Sequence, residues 1–189
     1  MTRTHPGILH VSVYIILAIF IATMASTMRP REIPLVFKEV ATEQGVPASM
    51  LYAISVVESG GNPWVLCVKG KGHFYETRED AYAAFRQFRA RGITNIDVGI
   101  MQINWKYHHQ RFIDDWQMFD ERENIKVGAE ILRECYDKTG DWLKAVGCYH
   151  SPAVKWRANK YRDKVIRVER YLDATTEGVK RNDLSNLRD

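Results

Sequence analysis

Glu58 is the residue of this sequence whose type and position point most directly to chemistry. It follows Leu51 and Ile54 by seven and four residues, which places it beside the apolar stripe of a predicted helix. It also stands in the last turn before Gly60, where the helix dipole disfavours an anion. Partial burial and the dipole both favour the neutral acid, so we expect a raised pKa for Glu58. An acid that keeps its proton near neutral pH can protonate a leaving group; the alternative is an ordinary exposed glutamate at a helix end.

Helical periodicity accounts for most of the chain that must position Glu58. The pattern predicts helices that begin at capping residues or end at glycines, and one short hairpin in which residues 64–68 and 73–75 flank a glycine turn. The predicted helices cover residues 33–44, 47–59, 77–91, 120–139, 142–149 and 154–172. No internal repeat and no linker divides the sequence. The predicted fold class is therefore mainly α (α+β), a single domain with a small β-hairpin.

Composition excludes several classes of protein. The 189 residues are 46% hydrophobic and 26% charged, which suits one globular domain with a buried core. The same values exclude a disordered chain, a collagen and a multi-span membrane protein. The net charge of +4 is too weak to demand a nucleic acid partner. Three cysteines are too few for a disulfide scaffold, so the core must supply most of the stability.

Residues 1–26 have the pattern of an export signal. Arg3 precedes an apolar run over residues 8–24, small residues stand near residues 23–26, and no acidic residue occurs before Glu32. We expect a signal peptide over residues 1–26, with an uncleaved N-terminal anchor as the alternative. Either alternative places the rest of the chain outside the cytoplasm, where disulfides form. At the other end, residues 173–189 are predicted to be a loose polar tail.

Four short motifs carry a family resemblance. They are residues 58–63 (ESGGNP), residues 97–104 (DVGIMQIN), residues 124–125 with Gly128, and residues 145–149 (AVGCY). In this order they resemble the motifs of lytic transglycosylases with a goose-type lysozyme-like (SLT) domain. The resemblance is greatest to the small single-domain enzymes that accompany secretion, conjugation and pilus machines. It covers residues 33–172 and implies a single lysozyme-like domain.

The resemblance implies a role for each matching residue. Glu58 would be the sole catalytic acid and base, with the Tyr149 hydroxyl near its carboxyl group. The sugar site would be shaped by Ser59, Met101, Gln102, Asn104 and Tyr149. Glu58 would protonate the glycosidic oxygen between N-acetylmuramic acid and N-acetylglucosamine, and its carboxylate would then accept the proton of the muramic C6 hydroxyl. This internal nucleophile closes a 1,6-anhydro ring, so neither a second carboxylate nor a cofactor is required.

Two residues leave the mechanism open. The family motif around Tyr149 usually continues with asparagine, where this chain has His150. We expect His150 to support the residues that touch substrate, or to have a purely structural role. Asp97 either orients a water, which would make the enzyme a muramidase, or braces the turn that leads into Gly99. The brace is the favoured interpretation, with Asp97 acting behind the substrate-binding residues.

The three cysteines allow three pairings with one bridge. A Cys67–Cys148 bridge is slightly favoured, because it would join two walls of the proposed site. Cys135 falls on the core face of its helix and would then be a buried thiol. The sequence contains no Cys-x-x-Cys, and His108 and His109 lack the spacing of helical metal ligands, so no metal site is predicted.

The aromatic residues of the insert between the first two motifs are open to two interpretations. Aromatic rings stack on sugar faces, but rings at hairpin and helix spacing more often pack a small satellite core. Packing is favoured here, with one or two rings facing the cleft. The residues concerned are Trp64, His73, Phe74, Tyr75 and Tyr82.

Two hypotheses of different class remain. The leading hypothesis is a periplasmic peptidoglycan lytic transglycosylase that opens the wall for a secretion, conjugation or pilus machine. The rival is a non-catalytic peptidoglycan-binding subunit of such a machine, favoured by His150 and by the many basic residues of the last predicted helix. Those basic residues have two interpretations: they contact anionic peptidoglycan or membrane headgroups, or they form an ordinary solvated helix face, which is the favoured interpretation. Neither hypothesis requires nucleic acid, and a membrane is involved only through an uncleaved N-terminal segment.

Overall fold

The computed structural model describes residues 32–186, with side chains to residue 174. Its helices are α1 (Leu35–Gln44), α2 (Ala48–Ser59), α3 (Arg78–Ala90), α4 (Trp105–His108), α5 (Glu121–Thr139), α6 (Trp142–His150) and α7 (Lys155–Asn186). Its strands are β1 (Val65–Val68), β2 (Lys71–Phe74), β3 (Ile96–Val98) and β4 (Ile103–Asn104). The predicted mainly α (α+β) class with a small β-hairpin is confirmed. The predicted leader, residues 1–26, lies outside the described residues.

A core of five helices positions the candidate site. α6 packs on both α5 and α7, α2 packs along α7, and α1 packs against α5. The side chains between these helices are fully buried, and they include Leu51, Ile54, Leu132, Val146 and Val165. Burial of apolar surface is the main favourable contribution to folding. This core therefore determines how α2, α6 and α7 lie relative to one another.

Three helices begin at the capping residues that the sequence predicts. The Thr77 side chain accepts a hydrogen bond from the Asp80 backbone N–H at the start of α3. Asp120 does the same for α5, and Asp141 accepts from two backbone N–H groups of α6. Each cap satisfies N–H groups that have no partner inside the helix, so these helix starts follow from local sequence.

The sheet is antiparallel, with strand order β2-β1-β3-β4. The predicted hairpin is confirmed as β1 and β2, in which Val65 pairs with Phe74. β3 and β4 were not predicted, because strands of three and two residues show no usable alternation. Their register places Asp97 opposite both Cys67 and Asn104. The sheet thus gathers polar residues from distant parts of the chain.

Asn124 connects the start of α5 to the turn between β3 and β4. Its Oδ1 accepts from the Met101 N–H at 2.9 Å, and its Nδ2 donates to the carbonyls of Val98 at 3.0 Å and Met118 at 2.9 Å. Gly99 lies against this amide with φ of 79°, and a Cβ there would stand 2.5 Å from Nδ2. Only glycine fits this contact and this backbone conformation without strain. The third sequence motif therefore positions the second.

The aromatic residues of the insert differ in their packing: Trp64, Tyr75 and Tyr82 pack against the main core, whereas Phe74 is 64% exposed. Tyr82 packs edge-on against Trp116 and Phe119, with ring centroids 5.0 and 5.6 Å apart. Phe85 extends this group toward Trp105. None of the five aromatic residues named for the insert lines the cleft described below. Packing therefore accounts for Tyr82, while the expectation that one or two of the five face the cleft is wrong.

The disulfide joins Cys135 to Cys148, and Cys67 is free. The favoured Cys67–Cys148 pairing is therefore wrong. α5 and α6 pack side by side and bring the Cα atoms of Cys135 and Cys148 within 5.8 Å. Cys67 instead lies in β1 opposite Asp97. The bridge still forms part of the cleft wall, but it links α5 to α6 and does not involve the sheet.

Removal of this disulfide is expected to lower the free energy of unfolding by about 3 kcal/mol, because the bridge closes a short loop in the unfolded chain. The variant is Cys135→Ala with Cys148→Ala, measured by denaturant unfolding of the oxidised protein. Cys67→Ser is the matched control, and a change below about 1 kcal/mol is expected for it. The assignment fails if thiol labelling of the unfolded, unreduced chain modifies Cys135 instead of Cys67.

The last helix is longer than predicted. α7 continues from Lys155 to Asn186, so the loose tail predicted for residues 173–189 is helical as far as Asn186. Residues 173–186 contain no proline and several strong helix formers, which lets the helix continue once it has begun. Within residues 32–186 the structure contains no helix that is long and apolar enough to span a membrane.

Candidate active site

A cleft of about 840 Å³ opens beside the end of α2. Its walls come from α2, from the β3–β4 hairpin and α4, from one face of α5, and from α6 with the start of α7. The lining residues that matter below are Glu58, Asn95, Asp97, Gln102, Asn104, Glu134, Cys135, Lys138, Cys148, Tyr149, His150 and Arg157. The volume falls within the range of small-molecule and oligomer sites, and the wall is rich in polar groups.

Glu58 lies where the sequence predicts it, in the last turn of α2 and at the cleft surface. Its side chain is 17% exposed. Burial raises the pKa of Glu58 to about 7, and the charge of Asp97 also raises it. A hydrogen bond from Tyr161 and the charge of Lys164 lower the pKa in part. Glu58 therefore holds its proton near neutral pH and can also release it, as an acid and base must.

The two carboxyl oxygens of Glu58 have different surroundings. Tyr161 donates its hydroxyl proton to Oε1 at 2.7 Å, and His150 Nδ1 lies 3.9 Å from the same oxygen. An oxygen that accepts a hydrogen bond is the carbonyl-like oxygen of a neutral carboxyl group. The described residues provide no hydrogen-bond partner for Oε2, so we assign the acidic proton of Glu58 to this oxygen. Oε2 is the atom available to a ligand.

Tyr161, and not only the expected Tyr149, lies beside Glu58, and Tyr161 is the residue that donates a hydrogen bond to it. The Tyr149 hydroxyl donates to the Met101 carbonyl at 2.8 Å, although it is close enough for the Glu58 charge to help raise its pKa. Tyr161 was missed as a site residue. It belongs to the buried stripe of α7 with Val165 and Leu172, and this spacing predicts only that it points inward. Nothing in the spacing reveals a contact across 103 residues of sequence.

Ser59 and Met101 lie behind the cleft and do not line it. The Ser59 hydroxyl donates to the Ile100 carbonyl at 2.8 Å and accepts from the Gly61 N–H at 3.1 Å. Met101 is fully buried, and a Cβ on Gly128 would approach its side chain to 2.8 Å. These contacts join the end of α2 to the β3–β4 turn. As folded, neither side chain is placed to touch a ligand in the cleft.

Gln102 lines the cleft with an unusual backbone. Its φ of 49° lies in the left-handed region, which is uncommon for residues other than glycine. Its Nε2 donates to the carbonyls of Gly99 at 2.9 Å and Val65 at 3.3 Å. The side chain amide is therefore held against the turn, with its oxygen remaining as an acceptor. A strained residue retained at a cleft wall favours a functional role.

A second carboxylate, Asp97, lies on the β3 side of the cleft. Asn104 Nδ2 donates to Asp97 Oδ1 at 2.7 Å and to Asn95 Oδ1 at 2.8 Å. Burial raises the pKa of Asp97, while the Asn104 hydrogen bond and the Cys67 thiol lower it. Asn104 Oδ1 is buried without a partner among the described residues. The hydrogen bond between Asp97 and Asn104 thus joins β3 to β4.

His150 faces the cleft and lies flat against Tyr161. The two rings are nearly parallel, with centroids 4.4 Å apart, and the His150 side chain is 47% exposed. Burial and the charges of Lys164 and Arg157 lower the pKa of His150. The ring is therefore neutral at neutral pH. It holds Tyr161 in place and covers one side of the Glu58 carboxyl group.

The arrangement suits acid–base chemistry at one carboxyl group. Glu58 has a displaced pKa, a hydrogen-bonded oxygen and a free oxygen at the surface of an open cleft, which together mark a candidate acid. No cluster of three or more His, Cys, Asp or Glu side chains that could hold a metal ion occurs among residues 32–186.

Comparisons with known proteins agree with this geometry. The family described as "Transglycosylase SLT domain" matches residues 35–167, which is well over half of the chain. Similar curated proteins include those named type IV secretion system protein virB1 from Brucella abortus, Brucella melitensis and Brucella suis. Each is 29% identical over 118 residues, which cover 56% of this chain and 49% of the relative. The chain thus spans about half the length of these relatives. No solved structure matches the chain significantly.

Proposed function

The chain belongs to the transglycosylase SLT domain family, and on that premise we propose that it is a lytic transglycosylase of peptidoglycan. It cleaves the β-1,4 bond between N-acetylmuramic acid and N-acetylglucosamine and forms 1,6-anhydro-muramic acid. The observation that carries this proposal is Glu58, a largely buried acid with a pKa of about 7 at the surface of an open cleft. Its free oxygen, Oε2, is the proton donor.

The first step breaks the glycosidic bond. Glu58 Oε2 transfers its proton to the glycosidic oxygen, the bond from that oxygen to muramic C1 breaks, and the bonding electrons leave with the oxygen. C1 becomes an oxocarbenium-like centre. Glu58 is now a carboxylate, and the Tyr161 hydroxyl stabilises it by donating to Oε1. The arrangement thus supports both protonation states of Glu58 that the reaction needs.

The second step closes the ring. The Glu58 carboxylate accepts the proton of the muramic C6 hydroxyl, and O6 bonds to C1, which restores the neutral acid. Because O6 belongs to the same sugar, the attack gains from proximity and needs no bound water. No co-reactant enters the balance, and the products together have the composition of the substrate.

The remaining cleft residues are assigned supporting roles. Gln102, Asn104 and Tyr149 lie on the cleft surface and bind sugar groups. Ser59 and Met101 act from behind by holding the β3–β4 turn. His150 supports Glu58 through its contact with Tyr161.

A muramidase is the second candidate function. Asp97 lies in the same cleft, and burial raises its pKa, which favours proton acceptance from a water. The Asn104 hydrogen bond, which restrains one Asp97 oxygen, speaks for the bracing role instead. A non-catalytic peptidoglycan-binding subunit is a third possibility, and it leaves the displaced pKa of Glu58 unexplained.

Mass spectrometry of the fragments released from purified peptidoglycan tests the proposal. We expect anhydro-muramic products, each lighter by one water than the hydrolysed form. Reducing muramic ends would instead establish the muramidase, with Asp97 as the candidate base. Binding to insoluble peptidoglycan without release of any sugar would establish the non-catalytic subunit.

Tyr161→Phe is expected to move the alkaline limb of the pH–activity profile upward by about one pH unit. In the wild type the hydrogen bond from Tyr161 lowers the pKa of Glu58. Its removal in the variant therefore raises that pKa and keeps Glu58 protonated to higher pH. The measurement is the turnover rate against pH. Tyr75→Phe, which lies outside the cleft, should leave the limb in place. An unmoved limb in Tyr161→Phe would show that this hydroxyl does not act on Glu58.

The setting of the enzyme is proposed from the relatives and the N-terminal segment. The similar Brucella proteins carry the name of a type IV secretion system component. We assign this chain to the periplasm, exported through residues 1–26, where it opens the wall locally for a secretion, conjugation or pilus machine. Fractionation of cells that express the full chain tests the location, and recovery of the protein in the cytoplasm would contradict it.

A further inference from the structure

Two cationic side chains line the cleft and have no use in the mechanism above. Lys138 lies in the last turn of α5, and Arg157 lies in the first turn of α7. Both are exposed. Among the side chains that the structure describes, neither forms an ion pair, and the Arg157 guanidinium lies over the Trp156 ring at 5.3 Å. Their charges are therefore available to a ligand.

The acidic residues of the cleft do not neutralise these two cations. Glu134, on the same face of α5 as Lys138, is held by Arg111 through two hydrogen bonds of 2.6 and 3.0 Å. Its charge is thus already compensated by a bidentate partner. Burial raises the pKa of Glu58 to about 7, which reduces its negative charge near neutral pH. The wall formed by α5 and the start of α7 therefore presents two exposed positive charges that have no ion-pair partner among the described side chains.

The two cations stand close to the proposed reaction. Arg157 is near enough to His150 for its charge to lower the pKa of that ring, and His150 lies 3.9 Å from Glu58. The residues of α5 that line the cleft form a stripe about 10 Å long, which begins at Ile131 and ends at Lys138. Cys135 belongs to this stripe and forms a disulfide with Cys148, which is the residue before Tyr149.

The substrate carries an anionic branch at this position. Muramic acid bears a lactyl ether on C3, and the stem peptide extends from it with free carboxylates. Glu58 acts on the bond at C1 of the same sugar, so the stem peptide starts within one sugar ring of that bond. Arginine binds a carboxylate in a planar, two-pronged geometry, and lysine acts as a point charge.

We propose that Lys138 and Arg157 form a binding site for the carboxylates of the muramic acid stem peptide. The proposal rests on the function proposed above and names the feature of the substrate that the cleft selects. The enzyme then prefers glycan strands that still carry peptides over strands from which the peptides have been removed. The preference enters through binding, since the proposed chemistry is carried out by Glu58 and by the C6 hydroxyl of the sugar.

The test compares two substrates on one enzyme. Wild type and the double variant Lys138→Gln with Arg157→Gln are assayed on peptide-bearing glycan strands and on the same strands after enzymatic removal of the stem peptides. The ratio of kcat/KM between the two substrates should fall by about tenfold in the double variant, mainly through KM. The control double variant, Lys155→Gln with Lys160→Gln, removes the same charge from exposed positions of α7 that do not line the cleft.

Each outcome bears on the proposal. An equal ratio in wild type and the cleft variant overturns it, and so does an equal fall in the control variant, which would indicate general surface charge. If wild type turns over neither substrate, the proposed function fails. The binding site is then tested separately, by measuring the affinity for a soluble disaccharide-peptide fragment and for its peptide-free counterpart. Tighter binding of the peptide-bearing fragment that disappears in the cleft variant supports the site, and no difference overturns it.

Discussion

Glu58→Gln is expected to reduce the release of muropeptides by at least about a thousandfold, with the fold intact. A positioned general acid contributes about 10²- to 10⁴-fold to a rate, and here one group serves both as acid and as base. Glutamine keeps the shape of the side chain and can still accept from Tyr161, but it has no proton to transfer. The measurement is product release from purified peptidoglycan by mass spectrometry, with the melting temperature of the variant as the check on folding.

Glu76→Gln is the matched control, because Glu76 is an exposed glutamate outside the cleft. Its product release should equal that of wild type. Retained activity in Glu58→Gln would remove the observation on which the proposed function depends. An inactive Glu58→Gln that still binds insoluble peptidoglycan would separate the chemical role of Glu58 from substrate binding.

Asn124→Ala is expected to lower the free energy of unfolding by about 3–5 kcal/mol. Asn124 is 1% exposed, and its amide bonds three backbone groups, on Met101, Val98 and Met118. Truncation leaves buried polar groups without partners, each at about 1–3 kcal/mol, and opens a small cavity. Denaturant unfolding measures the loss. Turnover should also fall at temperatures where the variant remains folded, since the turn that carries Gln102 loses its support.

Asn159→Ala is the control for this effect. Asn159 is an exposed residue of α7 whose side chain accepts one hydrogen bond from Arg162. Its removal should change the free energy of unfolding by less than about 0.5 kcal/mol. A loss below about 1 kcal/mol in Asn124→Ala would mean that the β3–β4 turn holds its shape without the amide, and its effect on turnover would then have to come from elsewhere.

Local sequence predicted much of the framework and the position of Glu58. Glycines, capping residues and apolar spacing act within a few residues, so the starts of α3, α5 and α6 and the β1–β2 hairpin could be predicted. The same spacing placed Glu58 at a helix end beside the core, and the expected rise in its pKa is present. The end of the last helix was predicted too early, because a polar segment without proline does not by itself stop a helix, and a single Gly178 is tolerated inside it.

Contacts between distant segments could not be predicted in this way. The Asp97–Asn104 pairing depends on two strands too short to show a pattern. The choice of Cys135 as the partner of Cys148 depends on the packing of α5 on α6, since three cysteines alone allow any pairing. Ser59 and Met101 lie behind the cleft because the β3–β4 turn packs against the end of α2 and against Gly128.

The sequence by itself predicted Glu58 as the candidate acid, most of the helices around it and the family that the motifs resemble, because these predictions depend on residue type and local spacing. Tertiary structure alone decided that Tyr161 donates to Glu58 while Tyr149 donates to the Met101 carbonyl. The physical reason is that a hydrogen bond requires two groups within about 3 Å in a defined orientation. Only the packing of α2 against α7 brings these groups together across the chain.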